Sequence, residues 1–244
     1  MISYYKQHSK NLWMLNKAIK SVQISLRDHI SKNNKLDEYV FTKILSQLIN
    51  SWAEVRVLKL VYEQGGFNVN ERNRIITCSN ALERWEMALT IAFCKAYGIA
   101  NSNQISRVST PITRRTRYQE LIELLMNDLM ESNQLRNRIS HGQWSYAFTS
   151  DLLSISGPLT KELRQENIVK LQLRMKMFTS LAQIIHDLAV SKSTFERDFD
   201  ANYMKIEEQK RNFHNRSYDD YKTRMIAKRK RGIKKKRIRS PQSV

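Results

Sequence analysis

Apolar side chains recur at intervals of three and four residues along most of the chain, which is the period of one face of an α-helix. The clearest stripe consists of Val40, Phe41, Ile44, Leu45, Leu48, Ile49, Trp52, Val55, Leu58 and Val61. Three more stripes of the same period follow at residues 75–96, 118–139 and 163–188. We predict a helix for each stripe.

Glycine and proline lie between these stripes and not within them, which is typical of helices joined by turns. A less regular pattern over roughly residues 4–32 predicts a further helix at the N-terminus. The fold class is therefore all-α, a helical bundle of about five core helices. A chain of 244 residues suits one such core.

The expected organisation is a helical domain over residues 1–195, a charged helical extension over 196–221 and a basic tail over 222–244. The tail is expected to be disordered on its own, because its composition offers little apolar surface to bury. Trp144, Tyr146 and Phe148 alternate with other residues in "WSYAF", which indicates a short strand or an extended loop.

The formal net charge of +19 makes a polyanion the first partner to consider. Eleven lysines and arginines and no acidic residue lie in residues 222–244. This segment can add phosphate contacts to RNA or ribosomes, dock on an acidic protein or act as a nuclear import signal, and the phosphate contacts fit best. The candidate RNA-binding residues of the tail are Lys228, Arg229, Lys230, Arg231, Lys234, Lys235, Lys236 and Arg237.

The remaining composition favours a soluble, cytoplasmic protein without cofactors. Cys78 and Cys94 would lie about 24 Å apart on one helix, too far for a disulfide. The sequence has neither a signal-peptide pattern nor an apolar window long enough to span a membrane. The histidines outside "LRNRISHGQW" form no metal-ligand spacing with one another or with a cysteine, so we expect no metal site.

The segment "LRNRISHGQW", residues 135–144, carries the candidate chemistry. Asn137 and His141 are four residues apart and share a helix face, and Arg136 can lean toward the same side. Gly142 then stands where a left-handed residue ends a helix. Histidine exchanges protons near neutral pH, and a guanidinium binds phosphate with two parallel hydrogen bonds.

These groups suit the cleavage of an RNA phosphodiester. The 2′-hydroxyl needs a base, the leaving 5′-oxygen needs an acid, and the phosphorane needs a cation. Arg136 and His141 supply such parts without a metal ion. One histidine per chain would have to serve as both the base and the acid, which suggests that two copies of the chain each contribute a histidine across a dimer interface.

At Arg136, Asn137 and His141 the sequence resembles the HEPN superfamily of all-helical nucleases, whose signature is Arg, a polar residue, three to five others and then His. The resemblance implies a metal-independent endoribonuclease that is active as a homodimer, often a toxin or phage-defence effector. By that resemblance His141 is the catalytic acid or base, Arg136 binds phosphate and Asn137 orients the site. An antitoxin or a neighbouring protein would regulate it.

Two features depart from the family pattern. HEPN toxins that are modified by a nucleotidyltransferase partner carry a Tyr two residues after the His, where this chain has Gln143, so that particular partner is not implied. The basic tail is not part of the family core either.

Other residues near the motif have two readings each. Glu83 and Glu86 would orient Arg136 if their helices pack together, or belong to a solvated polar face. Trp144 and Tyr146 could stack RNA bases or pack on the core. Arg114, Arg115 and Arg117, with Arg138, could line a phosphate path along the helix that ends at His141, or form an ordinary basic surface.

Two rival functions remain beside the nuclease. One is a HEPN-like RNA-binding or sensor module without chemistry. The other is an interaction scaffold whose basic tail holds it on RNA-rich particles.

Overall fold

The computed structural model describes residues 3–100, 102–105 and 111–239, and over these residues the predicted all-α class is confirmed. The described backbone has one isolated β-bridge and otherwise consists of helices, turns and loops. The helices are α1 (Tyr4–Lys32), α2 (Lys35–Val61), α3 (Val69–Ile76), α4 (Ala81–Tyr97), α5 (Ile112–Leu124), α6 (Met130–Ser140), α7 (Gly157–Gln165), α8 (Ile168–Val190), α9 (Lys192–Asn215) and α10 (Tyr218–Arg239). These are more helices than the five predicted for the core.

Asparagine side chains cap four of the helices. Asn34, Asn68, Asn80 and Asn167 each accept a hydrogen bond from a backbone N–H of the first turn that follows. Those N–H groups have no partner within their own helix, so a capping side chain stabilises the helix start.

One large core unites most of the helices. Helices α1 and α2 pack against each other along their lengths, and so do α8 and α9. Helix α4 contacts both α2 and α8 and so joins the two pairs. A second, smaller cluster contains Leu135, Ile139, Ala147 and Leu163, with Trp144 and Leu159 packed against it. This smaller cluster lies under the end of α6 and joins it to α7.

Helix α9 lies on the bundle rather than reaching out from it as expected for residues 196–221. Phe195, Phe199 and Ile206 are buried although the helix is highly charged. Their spacing places them on one side of α9. The aromatic contacts therefore outweigh the polar appearance of this segment.

The basic segment after residue 222, expected to be disordered, is instead helical as far as Arg239. Its first turns are tied to the start of α2, where Lys222 pairs with Glu38 at 2.8 Å and Tyr218 donates to the same carboxylate. Arg229 pairs with Asp28 of α1 at 3.0 Å. These acids lie nearly 200 residues away in sequence, so the tail composition alone gave no sign of them.

No helix in the described residues combines the length and the apolar character that a membrane-crossing segment needs.

A buried polar network links α2 to α7 and α8. Lys43 is fully buried, donates to the backbone oxygen of Leu163 and lies 4.7 Å from the centre of the Tyr39 ring. Glu166 and Arg174 form a buried ion pair nearby. Burial lowers the pKa of Lys43 to about 8, and the Glu166 carboxylate opposes this shift.

The pKa of Lys43 predicts a pH-dependent stability. An exposed lysine titrates near 10.5, so between about pH 8 and 10.5 the unfolded chain binds more protons than the folded one. The contribution of Lys43 to stability therefore rises with pH in this window. Between about pH 7 and 9, we expect the free energy of unfolding of the wild type to gain about 1 kcal/mol relative to Lys43→Met. Urea unfolding of both proteins at the two pH values measures this, and a constant difference would contradict it.

Candidate active site

Helix α6 ends in hydrogen bonds that fix the backbone of the motif. The N–H of Gln143 donates to the oxygen of Arg138 at 2.9 Å, and the N–H of Gly142 donates to the oxygen of Ile139 at 3.1 Å. Gly142 has a φ of +77°, in the left-handed region. This is the Schellman arrangement, and it confirms the predicted helix end directly after His141.

Replacing Gly142 with alanine should destabilise the protein through its backbone alone. A Cβ atom built at Gly142 meets nothing within 4 Å, but its φ of +77° is unfavourable for alanine. We expect Gly142→Ala to lower the free energy of unfolding by about 1 kcal/mol. The matched control is Gly232→Ala, at an exposed position inside α10 with open space and no positive φ, where alanine should leave stability unchanged or raise it by up to about 1 kcal/mol. Equal effects of the two substitutions in urea unfolding would refute this explanation.

Two neighbours hold the guanidinium of Arg136. Its Nη2 pairs with Oε1 of Glu54, from α2, at 2.8 Å, and its Nη1 donates to Oδ1 of Asn137 at 3.1 Å. Arg136 and Glu54 are both only partly exposed, which strengthens their attraction relative to a fully solvated pair. The guanidinium is therefore anchored on α2, and its Nε is buried without a hydrogen-bond partner among the described residues, while the side chain as a whole is 27% exposed.

Asn137 and His141 lie on the exposed side of the same helix end. The backbone N–H of His141 donates to the oxygen of Asn137 at 3.1 Å, so the two residues are one helical turn apart. The imidazole of His141 makes no side-chain hydrogen bond or ion pair within the part of the chain that the structure describes. It is accessible to a substrate from solvent.

Polar and aromatic contacts secure the helix beneath the motif. The hydroxyl of Ser132 donates to Asn50 of α2 at 2.7 Å, and both residues are buried. The indole N–H of Trp144 donates to the oxygen of Ile139 at 2.9 Å, and Tyr39 donates to the backbone oxygen of Trp144. The motif thus stands on a firmly held helix end.

Glu54 occupies the position that the sequence suggested for Glu83 or Glu86. Glu83 instead accepts hydrogen bonds from Ser79 and Asn80 at the start of α4. Glu86 lines a surface depression that does not include Arg136. Glu54 has no local signal in the sequence, because its partner lies more than 80 residues away.

The arginines of α5 do not form a continuous basic path to the motif. Arg117 pairs with Glu196 at 2.8 Å and with Asp200 at 3.1 Å, which ties α5 to α9. Arg114 lies over the Tyr97 ring at 4.7 Å. Arg115 is half-buried. These contacts assign Arg114 and Arg117 to the packing of helices.

A π turn at Leu125–Leu129 separates α5 from α6, where the sequence predicted one uninterrupted helix. Such turns accommodate an additional residue and occur often at functional sites. Arg138, one residue past Asn137, is half-buried on the motif side of this turn.

The segment after the motif is an extended loop with a single bridge between Phe148 and Ile155. Trp144 packs against the smaller core cluster, whereas Tyr146 is half exposed and carries the guanidinium of Arg164 over its ring at 4.8 Å. Trp144 thus follows the core-packing reading. Tyr146 retains an accessible ring edge beside the motif.

The basic residues of α10 divide into two groups. Arg229 is held by Asp28, as described above, and its charge is therefore balanced by the protein. Lys228, Lys230, Arg231 and Lys234 are exposed. The side chains of Lys235, Lys236 and Arg237 lie outside the described residues.

In the residues that the structure describes, no group of three or more His, Cys, Asp and Glu side chains is arranged to hold a metal ion. The side chains of the site itself offer a histidine for proton transfer and an oriented guanidinium. Neither a protein-family model, nor a curated protein, nor a solved structure matches this chain.

Proposed function

We propose that the protein is a metal-independent endoribonuclease of the HEPN type, with Arg136, Asn137 and His141 as its catalytic residues. The observation that carries the proposal is the helix end at which an anchored Arg136 stands beside an exposed His141 and Asn137. A toxin or antiviral defence effector that acts as a dimer in the cytoplasm fits such an activity. An antitoxin or a neighbouring protein would then control it.

The reaction proceeds by attack of the 2′-hydroxyl on the adjacent phosphorus. A neutral His141 accepts the hydroxyl proton, the P–O2′ bond forms, and Arg136 neutralises the extra negative charge on the phosphorane. The P–O5′ bond then breaks, and a protonated His141 from the second copy donates the proton to the 5′-oxygen. The products are a 2′,3′-cyclic phosphate and a 5′-hydroxyl.

Exposed apolar side chains beside the motif support a dimer. The loop that follows Gly142 presents Tyr146, Phe148, Leu152, Leu153 and Ile155 to solvent. Leu153 is 85% exposed. Several exposed apolar side chains on one loop are typical of a protein–protein interface. A second copy docked on this loop would bring the two motifs close together.

Leu153→Asp should therefore weaken self-association. A charge buried at a protein–protein contact costs several kcal/mol when it is unpaired, so we expect the dimer dissociation constant to rise by about 100-fold. Sedimentation velocity over a concentration series measures this. Met204→Asp is the matched control, because Met204 is 70% exposed on α9, a helix that packs on α8. If both variants self-associate as the wild type does, the loop is not the interface.

The test of the ribonuclease proposal is incubation of the full-length protein with labelled tRNA and mRNA in EDTA. We expect cleavage with 2′,3′-cyclic phosphate ends. An Arg136→Ala/His141→Ala double variant purified in parallel reports contaminating nucleases and should leave the RNA intact. Absence of cleavage by the wild type, or equal cleavage by the double variant, would overturn the proposal.

The second candidate function is an RNA-binding or sensor module without chemistry. It is favoured by the ion pair between Arg136 and Glu54, since a guanidinium that is already neutralised is a weaker phosphate ligand. In that case the wild type and the Arg136→Ala/His141→Ala variant bind RNA with the same affinity, and neither protein cleaves it.

A further inference from the structure

A cleft made by the C-terminal helices contains no residue of the motif. It has a volume of about 730 Å³ and is formed by α8, the connection between α9 and α10, and the first turns of α10. This volume lies within the range of small-molecule sites. We name it the α8–α10 cleft, and the residues that matter here are Gln172, Lys176, Arg216, Asp220, Tyr221 and Arg224.

Three cations from three separate elements line the α8–α10 cleft. Lys176 comes from α8, Arg216 from the turn after α9, and Arg224 from α10. The Nε of Arg216 donates to Asn212 at 3.1 Å, and the Nε of Arg224 donates to the backbone oxygen of Asp220 at 3.2 Å. These bonds hold each guanidinium at its base. Within the described residues, their terminal nitrogens make no hydrogen bond or ion pair and are available to an anion.

The other lining residues are not those of a simple anion site. Asp220 contributes a carboxylate, which would repel a bare phosphate but can accept hydrogen bonds from the two hydroxyls of a ribose. The half-buried ring of Tyr221, backed by the nearly buried side chains of Val169 and Leu173, gives the cleft an apolar wall on which a planar base can lie. The amide of Gln172 offers a donor and an acceptor to the edge of such a base.

We propose that the α8–α10 cleft binds a nucleoside phosphate. The phosphates lie against Lys176, Arg216 and Arg224, the ribose hydroxyls donate to Asp220, and the base packs on the apolar wall beside Tyr221. The ligand is either a free nucleotide or one nucleotide of an RNA chain, since both present the same groups. None of these residues belongs to the motif, so the site does not depend on the ribonuclease proposal.

Binding in the cleft would connect α8 to α10. The described contacts between these two helices are few, and the cleft lies between them. A ligand that contacts Lys176 on one side and Arg224 on the other holds both helices at once. It would therefore fix the direction in which the exposed basic residues of α10 point.

The test is calorimetric titration of the full-length wild type with ADP, adenosine and inorganic pyrophosphate at physiological ionic strength. We expect ADP to bind more tightly than either fragment. Arg216→Gln and Arg224→Gln should each weaken ADP binding by about tenfold or more, as expected for the loss of a charged hydrogen bond. Asp220→Asn should weaken ADP binding but not pyrophosphate binding, because only ADP carries a ribose.

The matched control is Lys228→Gln, which removes the same charge from α10 at an exposed position outside the cleft. If Lys228→Gln weakens ADP binding as much as Arg224→Gln does, the binding reflects general positive charge and the proposed site is wrong. If the wild type binds neither ADP nor a 5′-phosphorylated oligonucleotide, the proposed site is also wrong. If the oligonucleotide binds more tightly than ADP, and loses affinity in Arg224→Gln but not in Lys228→Gln, the cleft takes a nucleotide of RNA.

Discussion

His141→Ala is expected to lower the rate of RNA cleavage by about 1,000-fold, within the range for loss of a general acid–base group. The imidazole is the proposed proton acceptor for the 2′-hydroxyl and, in the second copy, the proton donor for the 5′-oxygen. Alanine can do neither. Because His141 is exposed, the substitution should leave the fold and the affinity for RNA nearly unchanged. Single-turnover cleavage in EDTA and filter binding of the same RNA measure the two effects separately.

His214→Ala is the matched control for this substitution. His214 is an exposed histidine near the end of α9, far along the chain from the motif. We expect the His214→Ala variant to cleave RNA at the wild-type rate. Cleavage by His141→Ala at the rate of the His214→Ala variant would show that His141 is not a catalytic residue.

The second large effect is expected from Glu166→Gln, which should lower the free energy of unfolding by about 3–5 kcal/mol. The Arg174 and Glu166 side chains are only 4% and 1% exposed, so water cannot replace the lost carboxylate charge. The cation of Lys43, fully buried nearby, would lose its counter-charge as well. Urea unfolding monitored by circular dichroism measures the change.

Two further variants separate the buried pair from ion pairs in general. Asp198→Asn breaks the exposed pair between Arg197 and Asp198 and should have no measurable effect, since solvent screens such pairs. The triple variant Lys43→Met/Glu166→Leu/Arg174→Met removes the buried pair together with the Lys43 cation that depends on Glu166, and it should recover most of the stability lost in Glu166→Gln. A triple variant less stable than Glu166→Gln would contradict this account.

The sequence predicted those helices whose burial pattern is continuous and local. The stripes from Val40 to Val61 and from Leu163 to Leu188 correspond to α2 and to α7 with α8. Helix α10 escaped prediction because its counter-charges, Asp28 and Glu38, come from the opposite end of the chain. Composition considers the basic tail by itself, whereas in the folded protein acidic residues of α1 and α2 form ion pairs with it.

The same distinction holds within the candidate site. The helix end at Gly142 depends on hydrogen bonds among neighbouring residues, and a glycine after the last helical turn is enough to predict it. The anchoring of Arg136 by Glu54 depends on how α2 and α6 pack, and no local spacing encodes that contact. Of the two interpretations that the sequence left open for Glu83 and Glu86, the structure agrees with the polar face away from Arg136, and the contact with Glu54 had no signal in the sequence.

The π turn at Leu125–Leu129 holds one residue more than a regular helical turn would. Each α-helical residue advances the chain by about 100° around the helix axis, so the same additional residue in a regular helix would rotate everything after it by that angle. The wider turn absorbs this residue, and Arg136 faces Glu54 while Arg117 keeps its contacts with α9. In the gene, a one-codon change of length is therefore tolerated at this turn, whereas the same change elsewhere in α5 or α6 would alter where the whole site faces.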